Sequence, residues 1–368
     1  MFIKKLSLKN FRNYGSAAIE FTKSINIMIG NNAQGKTSLI EGIYALSTTK
    51  SHRTSKDIQM IRFEQDFAKI DTVISIPDDD DVSLSLSITK KGKTAKYNGV
   101  PVSRLSAYIG KLKTVFFAPE DLDLIKGSPI VRRKFLNMEI GQIDPLYIHH
   151  LGSYSKILKQ RNELLKNYVE SESEQLMLEV FTQQLIPHLV YLLNKRAWFL
   201  ESLMVHGSEV HAFITDSKEV ISFEYVNSMR IDEITEDALM AKFELLYAND
   251  KRMRTTTAGA HRDDFAVYLS GVNAHEFASQ GQQRTSILSI KLAEIDLIYA
   301  ETGLYPVLLL DDVLSELDAN RQIKLLASMQ GKTQTFITTT SVSGIYQEII
   351  NSSDVFVIDD AKIGDYNE

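Results

Sequence analysis

Polar and apolar positions alternate from the first residues, and the order of patterns along the chain predicts its organisation. Period-two alternation or short β-branched runs predict strands over Phe2–Leu8, Ala17–Phe21, Ile25–Ile29, Ala68–Ile76, Val82–Thr89 and Val115–Ala118. One early helix is expected after Thr37, where Ser38-Leu39-Ile40-Glu41-Gly42-Ile43 carries apolar residues at helical spacing. Pro77 followed by Asp78-Asp79-Asp80-Asp81 marks a hairpin tip. Between about Ser128 and His206 the period changes, and amphipathic helices are predicted over Val131–Glu139, Tyr147–Tyr168 and Ser173–Met204. Their polar runs, Lys156 to Lys166 among them, fit either paired helices that project from the body or an ordinary helical core. Heptads do not persist long enough for an extended coiled coil. From Ile214 onward mixed character returns, with strands over Phe265–Leu269, Pro306–Leu310, Thr333–Thr339 and Val355–Ile358 and helices over Gly281–Ala300 and Ala319–Met329.

Composition narrows the class. At 368 residues and 44% hydrophobic content the chain is too long for one simple core and suits two lobes. It holds no cysteine, which excludes a disulfide framework, a thiolate zinc site and a cysteine nucleophile, and fits a reducing cytoplasm. The N-terminus carries lysines and no signal-peptide apolar core. No uninterrupted apolar run approaches the roughly 18–20 residues of a membrane span, so no membrane role is expected. The net charge of −6 argues weakly against nucleic acid. Yet Lys90, Lys91, Lys93, Lys96, Arg104, Lys111 and Lys113 follow one another without an intervening acid, and Arg132-Arg133-Lys134 and Lys251-Arg252-Met253-Arg254 form further clusters. Each alone reads as a solvated face; together they permit a surface that tracks phosphates.

The candidate chemistry begins at Gly30-Asn31-Asn32-Ala33-Gln34-Gly35-Lys36-Thr37, which fits G-x-x-x-x-G-K-[ST] between a predicted buried strand and a predicted helix. Glycines let backbone N–H groups close around phosphate oxygens, and a helix N-terminus favours their charge. Lys36 is expected to reach the β- and γ-phosphates of a nucleoside triphosphate, and Thr37 to ligate Mg²⁺ through its hydroxyl. The apolar strand Pro306–Leu310 runs into Asp311-Asp312, 275 positions beyond Lys36, so the site draws on both ends of the chain. Such an acid pair suits Mg²⁺ at Asp311 and a water-polarising group at Asp312.

Ala278-Ser279-Gln280-Gly281-Gln282-Gln283-Arg284 precedes a predicted helix, and Ser315-Glu316-Leu317-Asp318 follows the acid pair. With the phosphate loop, these segments resemble the ABC-type ATPases. The resemblance implies a signature at Ser279, Gln280, Gly281 and Gln282 that touches the γ-phosphate held by a second copy. Lys9-Asn10-Phe11-Arg12-Asn13-Tyr14, Phe117-Ala118-Pro119-Glu120-Asp121-Leu122, Arg132-Arg133-Lys134-Phe135-Leu136 and Gly259-Ala260-His261-Arg262-Asp263-Asp264 bring it closer: in order and over nearly the whole chain they resemble the RecF family of SMC-like gap-repair ATPases. SMC relatives insert hundreds of coiled-coil residues where this chain has room for a short lobe.

That resemblance implies an α/β fold: an ABC-type ATPase head, with a P-loop core and an antiparallel β subdomain, plus a helical lobe without a long coiled coil. The head is expected from 1–125 and 255–368 and the lobe from 126–254. It implies an ATP-dependent DNA-binding protein of replication and recombinational repair with weak ATPase activity. Such a protein dimerises on ATP, favours gapped or junction-containing duplex, works with RecR and RecO to load RecA, and is cytoplasmic. Ser51-His52-Arg53 is a candidate neighbour of the base or sugar. The residues depart from the broader ABC pattern at Gln280, where glycine is common, at Asp312, where glutamate is, and at Thr338-Thr339-Thr340, where a switch histidine is. These departures point to ATP as a timed switch with slow hydrolysis. The lysines point to DNA contacts in the Lys90–Lys113 region and at Arg132–Lys134. Two other readings share the motifs: a transporter ATPase subunit, and a nucleotide-regulated scaffold with no DNA role. Against the transporter, Ser279 follows Lys36 by 243 positions, much farther than such a domain usually allows.

Overall fold

The computed structural model describes residues 1–341 and 347–365, so 342–346 and 366–368 of the expected head lie outside the described residues. The chain divides into two compact units, one of Met1–Asp121, Phe213–Asp216 and Ile287–Glu368 and another of Leu122–Ala212 with Ser217–Ser286. The segment from 255 to 286, expected with the head, falls in the second unit, where Asp264–Leu269 pairs with Ile221–Val226.

The first unit holds two sheets. Strands β1 (Phe2–Phe11), β2 (Tyr14–Glu20), β4 (Phe67–Ser75), β5 (Val82–Thr89), β6 (Gly92–Tyr97) and β7 (Val100–Pro101) form an antiparallel sheet in the order β2-β1-β4-β5-β6-β7. One face is apolar, as the pleat requires: Leu6, Leu8, Ala68, Ile70, Leu84, Leu86 and Ile88 are buried. On the other face Ser7, Asp71, Ser85 and Lys96 lie in one register row, and Lys9, Lys69, Ser87 and Thr94 in the next. The short strands β6 and β7 were not expected from the pattern: β6 carries two lysines and buries one residue, and β7 is two exposed residues at the sheet's edge, so neither has an apolar period to read.

The second sheet contains β3 (Ile25–Ile29), β8 (Thr114–Phe117), β12 (Val307–Asp311), β13 (Thr335–Thr339), β14 (Ser353–Asp359) and β15 (Lys362–Asp365) in the order β15-β14-β3-β13-β12-β8. Its strands are parallel except β15, which returns antiparallel on β14. Four of them are buried at nearly every position because both faces of a parallel sheet are covered, and β3, β8 and β12 are largely apolar runs. Pairing of Thr339 with Ile29, Asp311 with Thr338 and Leu310 with Phe117 brings the carboxyl ends of β3, β13, β12 and β8 to one edge. The helix Lys36–Thr48 leaves that edge and is buried on almost every side.

The second unit contains the helices Pro129–Ile143, Pro145–Lys166, Glu172–Thr215 and Glu236–Met253, and a small antiparallel sheet of β9 (Ile221–Val226), β10 (Asp264–Leu269) and β11 (Val272–Asn273). Glu172–Thr215 is long and apolar enough, by length and composition, to cross a membrane, although no single unbroken run in it suggested this. Its Leu185, Leu189, Leu192, Leu193 and Phe199 are buried, and Arg196 between them is 1% exposed, which is the pattern of a core helix.

Buried charge organises this unit. Arg161 donates to Asp250 (2.8 Å) and to Thr256 Oγ1 (2.6 Å), with both members of the ion pair fully buried. Asp263 accepts from Ser228 N (2.9 Å), Ser228 Oγ (2.8 Å), Tyr225 OH (2.6 Å) and Arg196 (3.1 Å). His261 donates from Nε2 to Thr256 O (3.1 Å), which leaves Nδ1 to accept from Tyr154 OH (2.7 Å). Burial lowers the His261 pKa to about 4. The His261–Asp264 segment therefore pins strand, loop and helices together.

Within the two regions expected to contact DNA, several of the basic side chains are engaged inside the protein. Arg132 is buried and grips Asp264 with two donors (2.5 and 2.8 Å), while Arg133 donates to Asp263 O (2.8 Å); of that cluster only Lys134 is exposed. Within the Lys90–Lys113 region, Lys93 donates inward to Thr49 O and Asp57 (2.7 Å each), and the buried Lys113 donates to Gly110 O (2.9 Å). A run of like charge in sequence does not reveal which members meet partners far along the chain.

Candidate functional site

The loop from Gly30 to Thr37 turns at the carboxyl edge of β3 into the helix Lys36–Thr48, and its glycines are required sterically. A Cβ on Gly30 would lie 2.2 Å from Ile358 O; one on Gly35, at φ 118°, would lie 2.8 Å from Tyr14 OH. Ala33 also takes a left-handed conformation, φ 66°, unusual without glycine. Gly35 caps the helix with backbone alone, and no acid occupies the first turn, so the amide ends and the positive pole of the helix are unopposed by side chains there.

Lys36 is 7% exposed, and its Nζ donates to Gly30 O (2.5 Å) and Asn31 O (2.9 Å). Burial pulls its pKa down, and Asp312 and Asp311 pull the other way. Thr37 Oγ1 donates to Asp311 Oδ1 (3.0 Å), and Thr338 Oγ1 donates to the same oxygen (2.6 Å). Burial raises the Asp311 pKa against these two hydroxyls, and Glu120 and Asp312 add to the rise. Asp312 sits at φ 56° with its N–H on Thr338 Oγ1 (2.9 Å), and Ser315 Oγ donates to its carbonyl (2.7 Å). The structure thus brings Lys36, Thr37, Asp311 and Asp312 together. A threonine hydroxyl beside a desolvated carboxylate is a hard-oxygen donor set that suits Mg²⁺.

A cavity of about 820 Å³ opens over these residues, with Arg12, Asn13, Arg53, Gln59, Arg62 and Phe63 along its wall. Of Ser51-His52-Arg53 only Arg53 lines it. Ser51 is buried and donates to Glu41 (2.5 Å), and His52 packs on the rings of Phe116 and Tyr44. Glu41 is fully buried and takes two donors from Arg12 (2.8 and 2.5 Å), so Arg12 is tied to the loop's own helix. Sequence reasoning did not name Phe63, quoted Arg12 and Asn13 only as part of a family motif, and noted Thr338 only where a switch histidine is common. Thr338 gains its place beside Asp311 through strand register.

Ser279 to Gln282 lie in the second unit and open the helix Gln280–Thr302. Ser279 N–H donates to Gln282 Oε1 (2.9 Å) and Ser279 Oγ accepts from Gln282 N–H (3.3 Å), a reciprocal capping box. Ser279 and Gln280 are exposed, and a Cβ on Gly281 would meet nothing within 4 Å.

A phosphate loop after one strand of a parallel sheet, an acid pair ending the next strand but one, and an antiparallel sheet in the same unit define an ABC- and SMC-type ATPase head. The chain belongs to the RecF/RecN/SMC N-terminal domain family, whose model matches residues 2–362, and within it to the RecF proteins. It is 47% identical to the DNA replication and repair protein RecF of Oceanobacillus iheyensis over 99% of this chain and all of that one, and 45% identical to that of Staphylococcus aureus over the same shares. The solved structure of the recombination mediator protein RecF-ATP in the RecFOR pathway superposes with a TM-score of 0.91 at 32% identity, covering this whole chain and 98% of that one. An SMC head bound to the C-terminal winged-helix domain of ScpA shares the fold, at a TM-score of 0.56 and 16% identity.

Proposed function

We propose that this chain is an ATP-gated DNA-binding protein of replication and recombinational repair, which closes as a homodimer on two ATP molecules. The observation that carries the reading is the joining of loop and acid pair: Thr37 and Thr338 converge on one oxygen of Asp311, next to Lys36. In this reading Gly30, Asn31, Asn32, Ala33, Gln34, Gly35, Lys36 and Thr37 hold the triphosphate, and Thr37 and Asp311 hold Mg²⁺. When bound, the cation neutralises phosphate charge. Asp312 orients the attacking water; being shorter than glutamate, it suits slow hydrolysis and a switch. Ser279, Gln280, Gly281 and Gln282 serve the second copy's γ-phosphate, which the exposure of Ser279 and Gln280 at a helix N-terminus favours.

DNA is assigned to the outward face of the antiparallel sheet, where Lys5, Lys9, Lys69 and Lys96 stand among Ser7, Ser85 and Ser87, together with Lys91 at the β5–β6 turn. The relatives' names support replication and repair as the setting and the RecFOR pathway as its frame; in this reading RecR and RecO are the partners and RecA is what they help to load. Sedimentation of wild type and Lys36→Ala, with and without ATP, tests the switch. Wild type should pair only with ATP, and Lys36→Ala should stay monomeric; equal pairing in both, or pairing without ATP, would refute it. Gapped DNA binding that ignores ATP would refute the gating.

A further inference from the structure

The phosphate loop is gripped from outside by the turn between β14 and β15. Asp359 pairs with Lys362, so Asp360 and Ala361 form a two-residue turn, and both have positive φ (45° and 57°), as a type I′ hairpin requires. Their two N–H groups point at one residue: Asp360 N donates to Gln34 Oε1 (2.5 Å), and Ala361 N donates to Gln34 O (3.0 Å). Ile358 O, on the same hairpin, touches Gly30 so closely that no side chain fits there. The hairpin therefore meets the loop at its first residue and again at Gln34, while Tyr14 OH donates to Gly35 O (3.2 Å) from another side.

We propose that Gln34 and the Asp360–Ala361 turn are positioning elements of the nucleotide site: the Gln34 side chain is aimed at the hairpin, and only its main-chain amide belongs with those that hold the triphosphate. This rests on the reading of Gly30 to Thr37 as the triphosphate loop. A loop of this kind binds through converging amides, and any freedom in its backbone disperses them. Gln34 carries side-chain and main-chain oxygens that both accept from one hairpin, so it transmits that hairpin's position to the amides. The consequence falls on nucleotide affinity and leaves the acid pair unaffected.

The test compares Gln34→Ala, a single glycine inserted between Asp360 and Ala361, and the two combined, each titrated with Mg·ATP and assayed for hydrolysis. Gln34→Ala should weaken ATP binding about tenfold, the worth of one well-placed hydrogen bond. KM should rise accordingly, with kcat within about twofold of wild type. The insertion should give a similar loss, and the combination should be no weaker than the worse single variant, because both remove one coupling. Asp360→Gly, which keeps the N–H and the turn, should match wild type. Unchanged affinity in Gln34→Ala, or losses that multiply in the combination, would overturn the proposal. Should the insertion fail to fold, the KM-against-kcat split in the partly exposed Gln34→Ala decides alone. A wild-type chain that binds no ATP overturns the nucleotide reading itself; ATP binding that is intact in wild type and in Gln34→Ala overturns only the hairpin's part.

Discussion

Replacing Asp263 with alanine should cripple the second unit. The carboxylate is 0% exposed and accepts from Ser228 N, Ser228 Oγ, Tyr225 OH and Arg196. Arg196 is itself 1% exposed, so the variant strands a cation in the interior; removing one partner of a buried pair costs about 3–5 kcal/mol. Arg196 keeps Ala260 O (2.5 Å) and Asn137 (3.0 Å), which holds the loss toward the lower figure, while Tyr225 loses the acceptor of its hydroxyl. Together these place the loss at about 4 kcal/mol, a large share of the ~5–15 kcal/mol that holds a typical domain. Trp198, the single tryptophan, lies in the same unit, so its fluorescence in a urea titration reports the change directly. Arg196→Met added to Asp263→Ala should restore part of the loss, since the stranded charge goes with it. A loss below about 1 kcal/mol for Asp263→Ala, or strictly additive effects in the double variant, would refute the account of this network.

Stability should also fall as pH drops from about 6.5 toward 4. His261, neutral when folded with a pKa of about 4, binds a proton more readily once unfolded, and the full effect is about 3 kcal/mol. The loss is complete below both values and absent above them; His261→Gln should flatten that part of the profile, read by urea titration at each pH. Gly30→Ala should weaken ATP binding at least tenfold by driving a methyl into Ile358 O, whereas Gly281→Ala, with open space around it, should leave the melting temperature unchanged and reduce only ATP-dependent pairing. Reversing Lys69 and Lys96 to glutamate should weaken DNA binding and reduce its salt slope by about 2, about one for each phosphate that is no longer neutralised. Lys93→Glu should instead destabilise the first unit, since Lys93 is held by Thr49 O and Asp57.

What was legible in the chain followed from short-range physics. Ile25–Ile29 announced itself because a strand covered on both faces is apolar at nearly every position, here all but Asn26, and the glycines at 30 and 35 because the turn leaves no room for a Cβ. The boundaries of β5 and of the helix Ala319–Met329 were readable for the same reason: period and caps are local. What stayed hidden depended on distant pairing. Thr338 matters because β13 lies in register with β12. Arg132 looked like a surface cation because its partner, Asp264, is 132 positions away. The strands β6, β9 and β15 and the helix Glu236–Met253 bury only part of their residues, so their periodicity is faint.

The central strand β3 has a further consequence, for synthesis. Among the described residues its partners in the sheet are β13 and β14, which begin at Thr335 and Ser353. At about 5–20 residues per second, an emerging chain carries Ile25-Asn26-Ile27-Met28-Ile29 unpaired for roughly 15–60 s before either partner exists. The antiparallel sheet, whose strands all lie within the first 101 residues, can form during that interval. The phosphate loop cannot, because the strands that flank β3 and the turn that grips Gln34 are made about 300 residues later. Competence to hold a nucleotide is thus acquired only after Lys362 has been added, and a chain cut before Thr335 carries an open apolar strand in place of a partly working site.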